Sequence, residues 1–144
     1  MSNDYVQAIR KRHANLLLGY HGCVADSHLL GWIINEAAVL CPDGVKVIKI
    51  DDYFFIGSSV DWLKKFCNQD DKYFLEYCPW PAYSENMQAS GAILTAFSPV
   101  TGTALDGVLT WSNLQDERDE KNLAILIKTI DCKRIIFFKS VEHS

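Results

Sequence analysis

The sequence has little of what marks a fibrous, disordered or membrane-spanning chain. Only 8 glycines and 4 prolines are spread over its 144 residues, which excludes collagen-like and low-complexity proteins. No apolar run approaches the roughly 20 residues that a membrane-spanning helix needs. The opening residues Met-Ser-Asn-Asp-Tyr lack the basic and then apolar order of a signal peptide. We therefore expect a soluble, cytoplasmic protein that does not enter a membrane.

Basic residues are also in short supply. Lysine and arginine together number 14 against 18 acidic residues, which gives a formal net charge of −4. Proteins that bind duplex nucleic acid usually carry a basic surface. The charge balance therefore predicts that nucleic acid is not a partner.

The signatures of nucleotide-binding enzymes and of disulfide-rich proteins are missing. The glycines are isolated and form no glycine-rich turn between strand and helix, which disfavours kinases, P-loop NTPases and dinucleotide-dependent oxidoreductases. The cysteines are odd in number and include no Cys-x-x-Cys pair. This pattern predicts buried thiols in a reducing compartment. The five cysteines are Cys23, Cys41, Cys67, Cys78 and Cys132.

Apolar residues, in contrast, are abundant and make up 49% of the chain. With no linker or internal repeat, they predict one α+β domain over residues 1–144. Tight turns favour a largely antiparallel sheet of about six or seven strands. An N-terminal helix, a short middle helix and a helix in the C-terminal region are expected to pack mainly on one face of that sheet.

Three segments have helical signals. Residues 3–18 carry an apolar stripe at helical spacing. Residues 59–67 begin at a sequence that resembles a capping box, with Ser58 as the cap and Asp61 three residues later. The charged residues 115–122 lead into a helix with a regular apolar face made by Leu123, Leu126, Ile127 and Ile130.

Residues 28–40 are ambiguous between helix and strand. Leu30, Ile33 and Ala37 fit a helical stripe. The interior Gly31 and the run Trp32-Ile33-Ile34 favour a strand instead. We predict strands here, with residues 37–41 and 45–50 forming a hairpin through Pro42-Asp43-Gly44.

The remaining strands are predicted from apolar runs bounded by turns. Asp51-Asp52 turns the chain into a strand at residues 53–56. Further strands are expected at residues 72–78 and 134–140, and a second hairpin is expected to join residues 91–98 to 104–111.

An aromatic and proline-rich stretch is the main candidate binding site. Pro79 and Pro81 bracket Trp80, which keeps it out of a central strand and stiffens the loop. Rigid loops that present Trp and Tyr form many interfaces and ligand pockets. A loop that folds back and covers the end of the sheet with Trp80 is the equally weighted alternative. The candidate binding residues are Tyr77, Trp80 and Tyr83, together with Trp32 and Trp111.

A second cluster groups metal-ligand side chains. His21, Cys23 and His28 lie within eight residues of one another, with Asp26 among them. These are zinc-ligand types, but their spacing matches no standard pattern. A turn in which Asp26 caps the next element explains them better, so we predict no metal and no cofactor. A Cys23–His nucleophilic pair, or a reactive Cys67, is a still weaker hypothesis.

The acidic residues fall mostly at turns and helix starts. Asp51-Asp52, Asp61 and Asp70-Asp71 are examples. We assign them to capping and solvation rather than to acid–base catalysis.

Two functional hypotheses follow. The first is a small non-enzymatic binding protein, comparable to immunity proteins, inhibitors or accessory factors, that acts on a protein partner and forms a homodimer. The alternative is a small-molecule-binding protein or small enzyme with a pocket between helix and sheet, lined by Trp32, Tyr53, Phe55, Trp80 and Trp111. A deep cavity with a polar group or a perturbed histidine at its base favours the second hypothesis, and a flat exposed apolar patch that contains Trp80 favours the first.

Overall fold

The fold was obtained as a computed structural model. It describes residues 25–63, 71, 75, 94, 95 and 97–142, except for the side chains of Trp32, Glu36 and Val39. In chain order the helices and strands are α1 (Asp26–Leu40), β1 (Lys46–Ile50), β2 (Tyr53–Ser58), β3 (Thr101–Leu105), β4 (Val108–Ser112), α2 (Glu117–Lys128) and β5 (Arg134–Lys139).

The strands form one antiparallel sheet in the order β1-β2-β5-β3-β4. Two hairpins build its outer parts, one through Asp51-Asp52 and one through Asp106-Gly107. Asp106 and Gly107 both have positive φ, at 53° and 81°, as a tight two-residue hairpin turn requires. The α+β class and the antiparallel sheet are confirmed. The described residues contain five strands, fewer than the six or seven predicted.

The central strand β5 is buried on both faces of the sheet. Ile136 and Phe138 join the cluster of α1, which supplies Leu29, Ile33 and Ala37. Ile135 and Phe137 join the cluster that contains residues of α2. Successive side chains of a strand point to opposite faces. The two described helices therefore cover opposite faces. The N-terminal helix and most of the middle helix that were expected to pack on one face with the C-terminal helix lie outside the described residues, so their packing stays a prediction.

Residues 26–40 form a helix, so the prediction of strands at residues 28–40 is wrong. Leu29, Ile33 and Ala37 recur every four residues and are fully buried, as one face of a helix requires. Burial against the sheet outweighs the strand preference of the β-branched residues. The carboxylate of Asp26 accepts hydrogen bonds from Ser140 Oγ at 2.6 Å and Val141 N at 2.8 Å, which ties the start of α1 to the chain after β5.

Both predicted hairpins have the wrong partners. β1 pairs with β2, and residues 37–40 belong to α1. β3 pairs with β4 around Asp106-Gly107, since Asp-Gly supplies the favoured turn residues. Leu94, Thr95 and Phe97 are helical, so the strand predicted at 91–98 is wrong. Leu75, the described residue of the predicted strand 72–78, is also helical.

The last two elements and one turn are confirmed. α2 begins at its cap Asp116, whose carboxylate accepts from Arg118 N at 2.8 Å, and β5 matches the closing strand. The turn at Asp51-Asp52 is confirmed as well. Within the predicted middle helix 59–67, Trp62 and Leu63 are helical, residues 59–61 are not, and residues 64–67 lie outside the described residues, as do residues 3–18. Within the described part of the chain, no helix is long and apolar enough to cross a membrane.

Candidate partner-binding edge

The structure describes only part of the predicted aromatic site. Tyr77, Trp80 and Tyr83 lie outside the described residues. Trp32 lies in α1, but its side chain is also outside them. Trp111, in β4, is half-buried and packs against the core cluster of α1.

The members of the predicted small-molecule pocket that are described do not come together in one site. Tyr53 and Phe55 belong to the core on the α2 side of the sheet, with Phe55 only 1% exposed. Trp111 packs on the α1 side. The sheet itself therefore separates Tyr53 and Phe55 from Trp111.

The predicted metal cluster is described only at its end. His21 and Cys23 lie outside the described residues, and His28 Nδ1 accepts a hydrogen bond from Ala25 N at 3.3 Å at the start of α1. Among the residues that the structure describes, no three metal-ligand side chains are grouped together.

A buried arginine is the centre of a polar network that sequence reasoning missed. Arg134 is 1% exposed, and its guanidinium pairs with Asp61 through two bonds of 2.7 and 3.1 Å. A further bond of 2.8 Å joins it to Asp71. Asp61 was assigned to a helix cap, but it pairs with Arg134, and the Ser58 hydroxyl donates to the Val60 carbonyl. The signal for this network was an arginine opening an otherwise apolar strand.

Asp71 also receives two hydroxyl groups. Thr103 and Thr110 both donate to its carboxylate, because a bulge in β4 opposite Thr103 turns Thr110 to that face. Burial raises the pKa of Asp71, but the bonds from Thr110 and Thr103 and the charge of Arg134 outweigh burial, so the pKa is lowered. Burial lowers the pKa of Arg134, but the carboxylates of Asp61 and Asp71 outweigh burial, so that pKa is raised.

This network holds the fold together rather than offering a reactive group. Each guanidinium nitrogen of Arg134 donates to a carboxylate. A buried arginine paired in this way has little capacity left for a ligand. We therefore assign the network to anchoring Asp61 and Asp71 on the sheet.

A shallow groove of about 540 Å³ runs between α2 and the β3–β4 hairpin. Val108 stands at this groove with 61% of its surface exposed. The charged residues that line the groove are Glu117, Glu120, Lys121 and Lys128. Because they carry both signs, they favour neither an acidic nor a basic partner. The neighbouring edge strand β4 is interrupted by its bulge, which breaks the regular spacing that an added strand would need.

The opposite edge of the sheet, β1, is regular. Ser140 N donates to the Asp52 carbonyl. This bond shows that the even-numbered residues of β2 direct their backbone N–H and C=O groups toward β5. Alternation then directs the backbone groups of Tyr53, Phe55 and Gly57 toward β1. On β1, the backbone groups of Val47 and Lys49 consequently point away from the sheet. Within the described part of the chain, no strand pairs with this outer side.

The side chains along this edge are largely accessible. Lys46, Val47 and Lys49 are exposed, Val47 to 43%. Lys49 Nζ lies 5.3 Å from the centre of the Phe54 ring, and neither lysine forms a salt bridge with a described residue. We call Lys46–Ile50, with its outward backbone groups, the β1 edge.

No protein-family model matches the chain, and neither a curated protein nor a solved structure matches it.

Proposed function

We propose that the protein is a binding protein that holds an extended segment of a partner protein by adding it as a strand at the β1 edge. The observation that carries this proposal is the regular outer side of β1, where the N–H and C=O groups of Val47 and Lys49 point outward. Unpaired edge groups of this kind are a template for an added strand. The bulge in β4 makes the other edge a poorer template.

The proposal is compatible with the distribution of apolar side chains. Val47 supplies an exposed apolar contact on one face of β1, and Ile48 a half-buried one on the other. An added strand would cover both while its backbone completes the ladder. A sixth strand at this position would extend the sheet without moving either helix.

Val47→Pro tests the proposal, because proline removes the outward N–H at this edge without removing a bond to β2. Extended decapeptides are selected from a displayed library on the unmodified protein, and their affinities for both proteins are then measured. We expect the selected peptides to protect the Val47 and Lys49 amides from hydrogen exchange. Their affinity for Val47→Pro should fall by at least about fivefold, the equivalent of one backbone bond at roughly 1 kcal/mol.

Val47→Ala is the matched control, since it keeps the N–H and removes only the exposed side chain. We expect it to retain most of the affinity. Peptides that bind Val47→Pro as tightly as the unmodified protein would show that the binding surface lies elsewhere. A selection that yields no peptide protecting these two amides would also refute strand addition.

A further inference from the structure

We infer that the partner segment is acidic and carries two carboxylates three residues apart, one opposite Lys46 and one opposite Lys49. This inference rests on the proposed function and names the chemistry of the partner. An antiparallel strand added at the β1 edge places one of its residues directly opposite each residue of β1. Side chains opposite each other on neighbouring strands lie close enough to pair, and opposite charges there are favourable.

The sheet leaves both lysines without a carboxylate across the ladder. On β2, Lys46 faces Gly57 and Lys49 faces Phe54. Gly57 cannot be replaced by a larger residue without a clash, since a Cβ there would lie 2.6 Å from Cys132 Sγ. Lys49 has an aromatic ring for a neighbour instead of an anion. In the described sheet, the outer side of β1 is therefore the position from which a carboxylate could stand directly opposite both lysines.

The two lysines also select against other partners. Lysine on an edge strand discourages pairing with apolar or basic strands, because its ammonium would lose water without gaining a counter-charge. Pairing of β1 with a second copy of itself around Ile48 would place Lys49 opposite Val47 and Lys46 opposite Ile50. Neither pair compensates a charge, so the pattern favours a different, acidic segment.

The hairpin tip sets the register of this segment. Asp51 and Asp52 are exposed beside the end of β1, and a carboxylate placed past Ile50 would meet them. Like charges that face each other on neighbouring strands are unfavourable. The acidic pair therefore fits opposite Lys46 and Lys49, with apolar residues between and no acidic residue beyond Ile50.

Three synthetic decapeptides that differ only at two central positions test this inference. Their cores are Glu-Val-Val-Glu, Gln-Val-Val-Gln and Lys-Val-Val-Lys, and binding is followed by the shifts and exchange rates of the Val47 and Lys49 amides. We expect the glutamate peptide to bind about fivefold more tightly than the glutamine peptide, from two cross-strand charge pairs. The advantage should shrink as salt is added.

The double variant Lys46→Glu/Lys49→Glu should reverse this order and bind the lysine peptide best. The matched control Lys121→Glu/Lys128→Glu makes the same change of net charge on α2, and it should keep the preference for the glutamate peptide. Both sets of lysines are exposed, so the variants should keep the fold, which their amide spectra away from the changed residues will show.

The outcomes separate the two proposals. Equal binding of all three peptides, with the Val47 and Lys49 amides protected, would overturn the acidic preference and leave strand addition standing. No protection by any peptide would overturn both. Protection of the same amides that depends on protein concentration alone would identify a second copy as the occupant, and this too would overturn the inference.

Discussion

At the scale of single residues, the carboxylate of Asp71 is the side chain whose ionisation most directly affects stability. Its pKa is lowered in the folded protein, so folding favours the ionised form. The resulting stabilisation is complete above the unfolded pKa of about 3.9. It is lost as pH falls through the lower folded value. Asp71→Asn should therefore flatten the acid side of the stability profile, as measured by urea unfolding between pH 3 and pH 7.

The control for this prediction is Asp106→Asn, which removes an exposed carboxylate 3.8 Å from Lys133. Exposed pairs of this kind contribute little, and its profile should follow that of the unmodified protein. If Asp71→Asn keeps the original pH dependence, the network around Arg134 does not ionise as described.

A second residue, Trp62, carries a buried indole N–H. Its side chain is fully buried, and its indole N–H has no hydrogen-bond acceptor among the described residues. An unpaired buried donor costs about 1–3 kcal/mol. Trp62→Phe removes that cost and loses part of the ring, so its free energy of unfolding should change by less than about 1.5 kcal/mol. Trp62→Ala should lose about 3–5 kcal/mol, and a similar loss for the phenylalanine variant would mean that the N–H has an acceptor.

At the scale of elements, two glycines should respond to alanine in opposite ways. A Cβ at Gly102 in β3 would lie 2.3 Å from Phe137 Cζ and 2.7 Å from the Trp111 carbonyl oxygen. Gly102→Ala should therefore lower the free energy of unfolding by about 2 kcal/mol or more. Gly31 lies inside α1, and no described atom outside the backbone of α1 lies within 4 Å of its Cβ position. Gly31→Ala should therefore raise the free energy of unfolding by about 0.5–1 kcal/mol. Thermal unfolding of the two variants checks both signs, and a destabilised Gly31→Ala would contradict the helical assignment.

The elements that could be predicted from sequence are those with strong local signals. The regular apolar face and acidic first turn of α2, and the run of apolar residues in β5, were sufficient. In α1 the local signals conflicted, since Gly31 and the β-branched residues favoured a strand while the spacing of Ile33 and Ala37 favoured a helix. Packing against the sheet favours the helix, and this packing cannot be recognised from a local sequence pattern.

The candidate site was only half predictable for a related reason. Residues 45–50 were predicted as a strand, and β1 occupies most of that range. β1 lies at the edge of the sheet because β5, more than 80 residues later in the chain, pairs with β2 and β3. Likewise, the partners of Arg134 are 63 and 73 residues away. Contacts between residues so far apart in sequence depend on the whole fold, so local sequence patterns indicate the aromatic loop and not the β1 edge.

At the scale of the whole molecule, the last strand in sequence is the centre of the structure. β5 pairs with both β2 and β3, and its side chains join both core clusters. The two hairpins on either side of it make no strand pairing with each other. Until residues 134–139 are present, each hairpin therefore lacks a neighbour, and an isolated two-stranded hairpin is at best marginally stable in water.

A chain that ends at residue 131 should consequently fail to fold, although it keeps four of the five described strands. We expect its amide spectrum to lose dispersion and its circular dichroism to show no cooperative thermal transition. A chain that ends at residue 142 is the matched control, since it retains β5 and the bonds from Ser140 and Val141 to Asp26. It should unfold cooperatively. A cooperative transition in the shorter chain would mean that one hairpin and its helix form an independent unit, and the central role of β5 would then be wrong.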